Sequence, residues 1–259
     1  MQKSTAQIGR QWLTVVAVLI AIAINGLSNV YPPAGKNTGE VSNTLLNGVL
    51  ITPAGYAFAI WGLIYIGLIA YGIYQVLPAQ RHDPILAKVS WGIIGACAFQ
   101  IIWLAVFLTF HFWWSVLFML GILVCLAFAY VQTRLARPTR KVRWLLQAPI
   151  SVYFGWITVA AVVNVAGALL VSFVGPGGTS LSTLSAGSTL VMMGISAAIA
   201  ALIAIKYNDA TYPAVSVWAL SAIAVRQAGI GAIAFMGIGL SIGLCVVIVR
   251  VISLRRAPS

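Results

Sequence analysis

The strongest constraint on this chain is a series of apolar runs long enough to cross a lipid bilayer. Only 7% of its residues are Asp, Glu, Lys or Arg, whereas 61% are hydrophobic and the mean hydropathy is +1.02. A water-soluble domain cannot cover its surface with so few charges, so the surrounding solvent must be lipid. Because backbone groups cannot stay unpaired in lipid, and because the runs are continuous rather than alternating, the pattern favours helices over a barrel.

Charged residues, Pro and Gly divide these runs into segments of about the length of a membrane helix, roughly 20 residues. The sequence therefore predicts an all-α, polytopic transmembrane bundle with about eight spans. The predicted spans are residues 12–31, 53–77, 89–110, 113–133, 144–173, 188–206, 213–226 and 229–252.

The basic residues predict an orientation in the membrane. The 15 Lys and Arg outnumber the 3 acidic residues, for a net charge of +12. With the amino terminus in the cytoplasm, all of them except Lys36 and Arg226 fall on the cytoplasmic side, as expected of a multi-pass protein. We therefore predict cytoplasmic amino and carboxyl termini, in a bacterial inner or a thylakoid membrane. The positive charge is explained as a topology signal, so no nucleic-acid partner is predicted.

Two connections are long enough to organise the chain. Residues 175–187 are uncharged and rich in Gly and Ser, which is typical of a flexible loop. This loop predicts a division into a five-helix domain, residues 12–173, and a three-helix extension, residues 188–252. The other connection, residues 32–52, has the length of loops that often act as lids.

Residues suited to catalysis are few and lie away from the centre of the membrane. The acidic and histidine residues fall in predicted loops or at helix ends: Glu40, Asp83, Asp209, His82 and His111. No ionisable group lies at mid-membrane, which argues against an ion-coupled pump. The sequence has no phosphate-binding loop, no nucleophile elbow and no Cys or His spacing typical of a metal site. We therefore predict no enzymatic activity, no catalytic residue and no metal.

Aromatic and amide side chains recur on one face of several predicted helices. They are Asn25 and Asn29; Phe58, Trp61 and Tyr65; Gln100, Trp103 and Phe107; and Tyr153, Trp156 and Asn164. At about 1.5 Å per residue, the three tryptophans fall between the middle and the outer half of the membrane, and Asn25, Asn29 and Gln100 reach a similar depth. Two interpretations fit: aromatic packing with amides joining the helices, or a cavity walled by Trp and Tyr that takes a flat aromatic or isoprenoid ligand.

Three segments resemble one known family. TPAGYAFAIWGLIY, with Trp61 and Tyr65, is similar to the start of the second helix in the TspO/peripheral-type benzodiazepine receptor family, the tryptophan-rich sensory proteins. QIIWLAVF resembles the Asn-x-x-Trp stretch of the family's third helix, and LLQAPISVYFGWITVAAVVN its fifth-helix pattern. The resemblance covers residues 12–173 and implies a TspO-like five-helix core. The last three spans have no counterpart in short members of the family.

The resemblance also implies a ligand and a site. The family binds porphyrins and other tetrapyrroles, steroids and synthetic aromatic molecules. Its ligand-lining positions fall here on Trp61, Tyr65, Gln100, Trp103, Trp156 and Asn164. This chain departs from the pattern where Gln100 replaces an Asn, where Pro53 stands in place of two prolines, and where Phe58 lies one residue nearer to Trp61.

We therefore expect a membrane protein that binds, senses or transports a planar hydrophobic ligand such as a porphyrin. Asn25 and Asn29 would add hydrogen bonds, and Lys36 would pair with a ligand carboxylate. Apart from such a tetrapyrrole, no cofactor is expected. Two alternatives remain open: a structural or assembly subunit of a larger membrane complex, photosynthetic for example, and a small-molecule permease without ion coupling. The expected partners are the lipid bilayer, a hydrophobic small molecule, and either a second copy or a larger complex.

Overall fold

The computed structural model describes residues 2–177 and 183–256, and the regular elements in those residues are helices. The α-helices in chain order are α1 (Gln2–Val30), α2 (Thr38–Thr44), α3 (Ile60–Val76), α4 (Pro84–Leu108), α5 (Phe112–Arg134), α6 (Arg140–Val142), α7 (Ala148–Phe173), α8 (Thr183–Tyr207), α9 (Thr211–Arg226) and α10 (Gly231–Arg256). Short 3₁₀ segments cover Gly55–Ala59 and Pro78–Gln80, and a π-helical turn covers Arg143–Gln147. The predicted all-α class is confirmed.

Seven helical segments in the described residues are long and apolar enough to cross a membrane. They are Thr5–Val30, Gly55–Val76, Pro84–Leu108, Phe112–Arg134, Arg140–Phe173, Ala186–Tyr207 and Gly231–Arg255. In order, they match all of the predicted spans except the seventh. Five tryptophans near the ends of these segments are more than half exposed, as expected of side chains at the membrane interface. These are Trp12, Trp91, Trp113, Trp114 and Trp144.

Helix α9 accounts for the difference between seven candidate spans and the eight predicted ones. It has 16 residues, which at 1.5 Å per residue is ~24 Å, shorter than the ~30 Å hydrocarbon core. More than half of its residues are buried, and it packs against both α8 and α10. Residues 213–226 thus form a separate helix, as predicted, but a short one with more than half of its residues buried against protein.

The described chain divides into two compact units. The first unit, Met1–Thr38 and Ile60–Ile157, contains α1, α3, α4, α5 and the first part of α7. The second unit, Gly39–Ala59 and Thr158–Ser259, contains α2, the rest of α7 and α8 to α10. The predicted division between residues 173 and 188 stays a prediction. The predicted loop there lies partly outside the described residues.

In the first unit, α4 and α5 approach closely along small residues. A Cβ atom on Gly92 would lie 2.9 Å from the Cβ of Ala129 and 3.0 Å from the carbonyl oxygen of Cys125. A Cβ on Gly121 would lie 2.8 Å from the ring of Phe99. Small residues allow such close contact between helices in lipid, where packing replaces the hydrophobic effect.

A larger side chain at Gly92 is therefore expected to force α4 and α5 apart. We expect Gly92→Leu to lower the free energy of unfolding by about 1–3 kcal/mol, the usual cost of overpacking. Gly62→Leu is the matched control, because Gly62 is an exposed helical glycine and a Cβ placed on it would meet nothing within 4 Å. Unfolding in a detergent titration measures both variants, and equal losses would contradict this packing role.

The start of α7 is shaped by Pro149. Proline has no N–H to donate to the carbonyl one turn earlier, and the helix widens there into the π-helical turn. Gln147 in that turn donates its side-chain amide to the carbonyl of Thr133 at 3.0 Å, which joins α7 to α5. Pro149 itself packs on α3, since a Cβ on Gly67 would lie 3.0 Å from the Cβ of Pro149. These contacts fix the height of the next turns of α7 beside α3.

Candidate ligand-binding site

The first turns of α3 carry the Trp–Tyr pair that the sequence analysis selected. Trp61 and Tyr65 lie one helical turn apart, with ring centroids 5.6 Å apart and ring planes inclined by 31°. Both side chains are half-buried. The 3₁₀ segment Gly55–Ala59 immediately precedes α3 in the chain.

A tyrosine from α7 completes the arrangement. Tyr153 lies edge-on to Trp61, with centroids 6.2 Å apart and an interplanar angle of 64°. Its hydroxyl donates to the side-chain carbonyl oxygen of Gln100 on α4. Tyr153 and Gln100 are only 1% and 3% exposed, so this hydrogen bond is fully sheltered. Trp61, Tyr65, Gln100 and Tyr153 are called the aromatic–amide cluster below, and they come from three helices of the first unit.

The hydroxyl of Tyr65 is buried and has no hydrogen-bond partner. Leaving a buried polar group unsatisfied costs about 1–3 kcal/mol. Such a group is either a source of instability or one half of an interaction that a ligand completes. Its place beside Trp61 in the aromatic–amide cluster is consistent with the second role.

The other two predicted tryptophans are buried on the same helices. Trp103, one turn after Gln100 on α4, is 7% exposed and stacks on Phe107 with centroids 5.1 Å apart and planes inclined by 22°. Phe107 in turn meets Phe112 of α5 edge-on at 5.7 Å. Trp156, one turn after Tyr153 on α7, is 2% exposed. Trp103 thus begins an aromatic row that runs from α4 to α5.

The predicted amide residues are placed differently from one another. The side-chain amide of Asn29 donates to the carbonyl of Asn25 in the same helix at 2.8 Å, and Asn29 is exposed. The side chain of Asn25 is half-buried. Asn164 is 4% exposed and belongs to the second unit. Gln100, in contrast, accepts the hydrogen bond from Tyr153 within the aromatic–amide cluster.

Tyr153 is the residue of the cluster that the predicted site did not include. The signal for it was present, because Tyr153 shares a helical face with Trp156 three residues later. The resemblance to the family implied Trp156, and not Tyr153, as the ligand-lining residue of this helix. Only the position of α3 beside α7 reveals that Tyr153 is the side chain that contacts Trp61.

In the second unit, α9 holds the segment that leads into α3. The backbone N–H of Ala54 donates to the carbonyl of Ala222 at 3.1 Å. The indole N–H of Trp218 donates to the carbonyl of Ala57 at 3.0 Å, and the ring of Tyr56 lies edge-on to Trp218 at 5.4 Å.

The end of α9 adds side-chain donors to the same segment. The guanidinium of Arg226 donates to the side-chain oxygen of Asn43 at 3.0 Å and to the carbonyl of Pro53 at 3.4 Å. The amide of Gln227, immediately after α9, donates to the carbonyl of Leu50 at 2.9 Å. These contacts between residues 218–227 and residues 43–57 are called the α9 clamp. The sequence contained one indication of this clamp: Arg226 is one of the two basic residues that the predicted topology does not place on the cytoplasmic side.

Two of the acidic residues stabilise the starts of helices. Asp83 caps α4 by accepting from the N–H groups of Ile85 and Leu86, at 2.7 and 3.1 Å. Asp209 accepts from the N–H of Thr211 at 2.9 Å, at the start of α9. In the described residues no group of three or more His, Cys, Asp or Glu could hold a metal ion. The arrangement of the aromatic–amide cluster suits binding by stacking and hydrogen bonds.

Comparison with known proteins agrees with this helical, tryptophan-rich pattern. A family model described as TSPO-like protein matches residues 11–250. The chain belongs to the TSPO-like protein family. The match continues through α8, α9 and α10, beyond the residues 12–173 in which the resemblance was first visible. In this TSPO-like protein the last three helices therefore lie within the family pattern. No curated protein and no solved structure matches the chain.

Proposed function

We propose that this TSPO-like protein binds a planar hydrophobic molecule, with tetrapyrroles such as porphyrins the first candidates, in order to sense it or to move it. The observation that carries the proposal is the edge-on contact of Trp61 with the buried Tyr153 beside the unpartnered hydroxyl of Tyr65. Aromatic faces bind flat rings with little loss of conformational entropy. No acid–base pair lies in the cluster, so the proposed role is not catalytic.

In the proposed complex the aromatic–amide cluster does most of the binding. Trp61 would stack on the ligand ring, and the Tyr65 hydroxyl would gain the hydrogen bond that it lacks. Gln100 would hold Tyr153 in place through their hydrogen bond. The remaining predicted residues of the first unit extend the site in this proposal: Trp103, Trp156, Asn25, Asn29 and Lys36. Asn164, in the second unit, stays a prediction.

Titration of the purified protein with protoporphyrin tests this proposal. We expect quenching of tryptophan fluorescence that saturates with the ligand, together with a shift of the porphyrin absorption band. A linear isoprenoid alcohol of similar size is the matched control, since it is apolar but cannot stack. Equal affinity for both would contradict a site built for flat rings.

A second candidate function is a structural or assembly subunit of a larger complex, or a homodimer. A groove of about 890 Å³ between α9 and α10 favours it. The groove is lined by small and aliphatic side chains, including Ser221, Ala224 and Ser241, of the kind at which membrane helices pack. Purification in mild detergent separates the two functions: a stoichiometric complex favours the subunit and a free chain that binds porphyrin favours the binder. Flux of ligand into liposomes tests an uncoupled permease.

We also propose that both termini lie in the cytoplasm, because this orientation puts all Lys and Arg except Lys36 and Arg226 on the cytoplasmic side. It requires α9 to cross the membrane together with the seven candidate spans. The seven candidate spans without α9 would put the two termini on opposite sides. Single cysteines introduced at each terminus and labelled with an impermeant reagent in intact cells measure this directly. Labelling at one terminus alone would contradict the proposal.

A further inference from the structure

A buried arginine at the amino-terminal end of the first unit lies beside the turn that precedes α4, where the nearest carboxylate along the chain, Asp83, caps that helix. Arg10 on α1 is 9% exposed. Its guanidinium donates to the backbone carbonyl of Arg81 at 3.4 Å, while its Nε atom is buried without a partner. In the described residues no carboxylate forms an ion pair with Arg10. A guanidinium is always charged and has five N–H donors, so burial without a counter-charge is costly.

The surroundings of Arg10 hold it firmly in place. Gln11 and Gln75 exchange hydrogen bonds between the side-chain amide of each and the carbonyl of the other, which joins α1 to α3. The hydroxyl of Thr14 donates to the carbonyl of Arg10 at 2.9 Å. Both glutamines are almost fully buried. The backbone at Arg10 is therefore held in place, and its side chain extends from a fixed point.

A further polar atom beside Arg10 also lacks a partner. The Nε–H donor of Arg81, the residue whose carbonyl accepts from Arg10, is buried and unsatisfied. Each of these two neighbouring arginines thus has an Nε–H donor without a partner, and such donors are suited to an oxyanion. The exposed Trp12 marks the depth of the membrane interface here. At that depth the most abundant oxyanions are the phosphate groups of lipids.

We propose that Arg10 and Arg81 bind a phosphate group at this interface, and that its source is an anionic lipid headgroup. Arginine binds phosphate through paired N–H donors, and the lipid charge would neutralise the buried guanidinium. The bound lipid would also tie α1 to the turn before α4. Free phosphate in the cytoplasm offers the same chemistry, so the test distinguishes the two sources.

The test compares thermal unfolding of the protein in nanodiscs of different composition. We expect phosphatidylglycerol in phosphatidylcholine to raise the unfolding midpoint relative to phosphatidylcholine alone, because choline offsets the phosphate charge. Native mass spectrometry should show retained phosphatidylglycerol. If inorganic phosphate added to pure phosphatidylcholine discs gives the same rise, soluble phosphate is the source instead. No rise with either would overturn the proposal.

Variants assign the effect to the site. Arg10→Gln should weaken the apparent affinity for phosphatidylglycerol by about tenfold or more, because charge-assisted hydrogen bonds are lost. Arg140→Gln is the matched control, since Arg140 is exposed and its replacement removes the same charge. An equal loss in both variants would mean general attraction to anionic lipid and would overturn the site. Arg10→Lys and Arg81→Gln repeat the comparison if Arg10→Gln does not fold.

Discussion

Replacing Trp61 by leucine is expected to weaken protoporphyrin binding by about tenfold or more. The substitution keeps an apolar side chain but removes the aromatic face and the edge-on contact with Tyr153. Aromatic pairs contribute roughly 0.5–1.5 kcal/mol beyond their buried area, and a further loss comes from the smaller ring contact with the ligand. Each 1.4 kcal/mol is about a tenfold change in affinity. Fluorescence and absorption titrations measure the change.

The control for Trp61→Leu is Trp113→Leu, an exposed tryptophan at the end of a candidate span. It should leave the affinity unchanged while removing a comparable amount of fluorescence. A companion variant, Tyr65→Phe, separates binding from stability. It should lower the affinity but leave the free protein as stable or more stable, because the hydroxyl that it removes has no partner. If Trp61→Leu binds protoporphyrin with unchanged affinity, the aromatic–amide cluster is not the binding site.

Releasing the α9 clamp is expected to open the segment that precedes α3. The double variant Trp218→Phe with Arg226→Gln removes the indole donor to Ala57 and the charged donor to Asn43 and Pro53. Hydrogen bonds contribute about 1 kcal/mol each, and those from charged groups about 1.5–3 kcal/mol. Amide hydrogen exchange in residues 43–57 should therefore become more than about tenfold faster. Mass spectrometry of peptic fragments measures this.

Arg250→Gln is the matched control for the clamp, because Arg250 is an exposed basic residue on α10 and no hydrogen bond joins its side chain to residues 43–57. Its exchange should equal that of the unmodified protein. If the double variant exchanges at the same rate as this control, the clamp does not hold the segment. Faster exchange with unchanged porphyrin affinity would mean that the clamp and ligand binding are independent.

The helices were predictable because lipid imposes a simple rule on them. A run of apolar residues must become a helix in a membrane, so composition and run length determine most element positions. The exception, α9, shows the limit of this rule. Residues 213–226 are apolar and largely packed against α8 and α10, and an apolar run does not reveal whether its neighbours are lipid tails or other helices.

The candidate site was predictable only in part. The Trp61–Tyr65 pair follows from helical spacing within one segment, which the sequence displays directly. Tyr153 and the α9 clamp depend on which helices become neighbours, and spacing within a helix contains no such information. Asn29 is a case in which the pattern was present but the predicted contact was not found. The spacing places it on one helix face with Asn25, yet its side chain is exposed and its amide donates to the carbonyl of Asn25 in the same helix.

The α9 clamp has a consequence for the order in which the chain is made. Asn43 is bonded by Arg226, 183 positions later, and Ala57 by Trp218, 161 positions later. The ribosome therefore synthesises residues 43–57 early and the residues of α9 that bond to them much later. Until translation has passed α9, the carbonyl groups of this loop must be satisfied by water or by other partners. The α9 clamp therefore forms late in biosynthesis, even if the first helices insert into the membrane quickly.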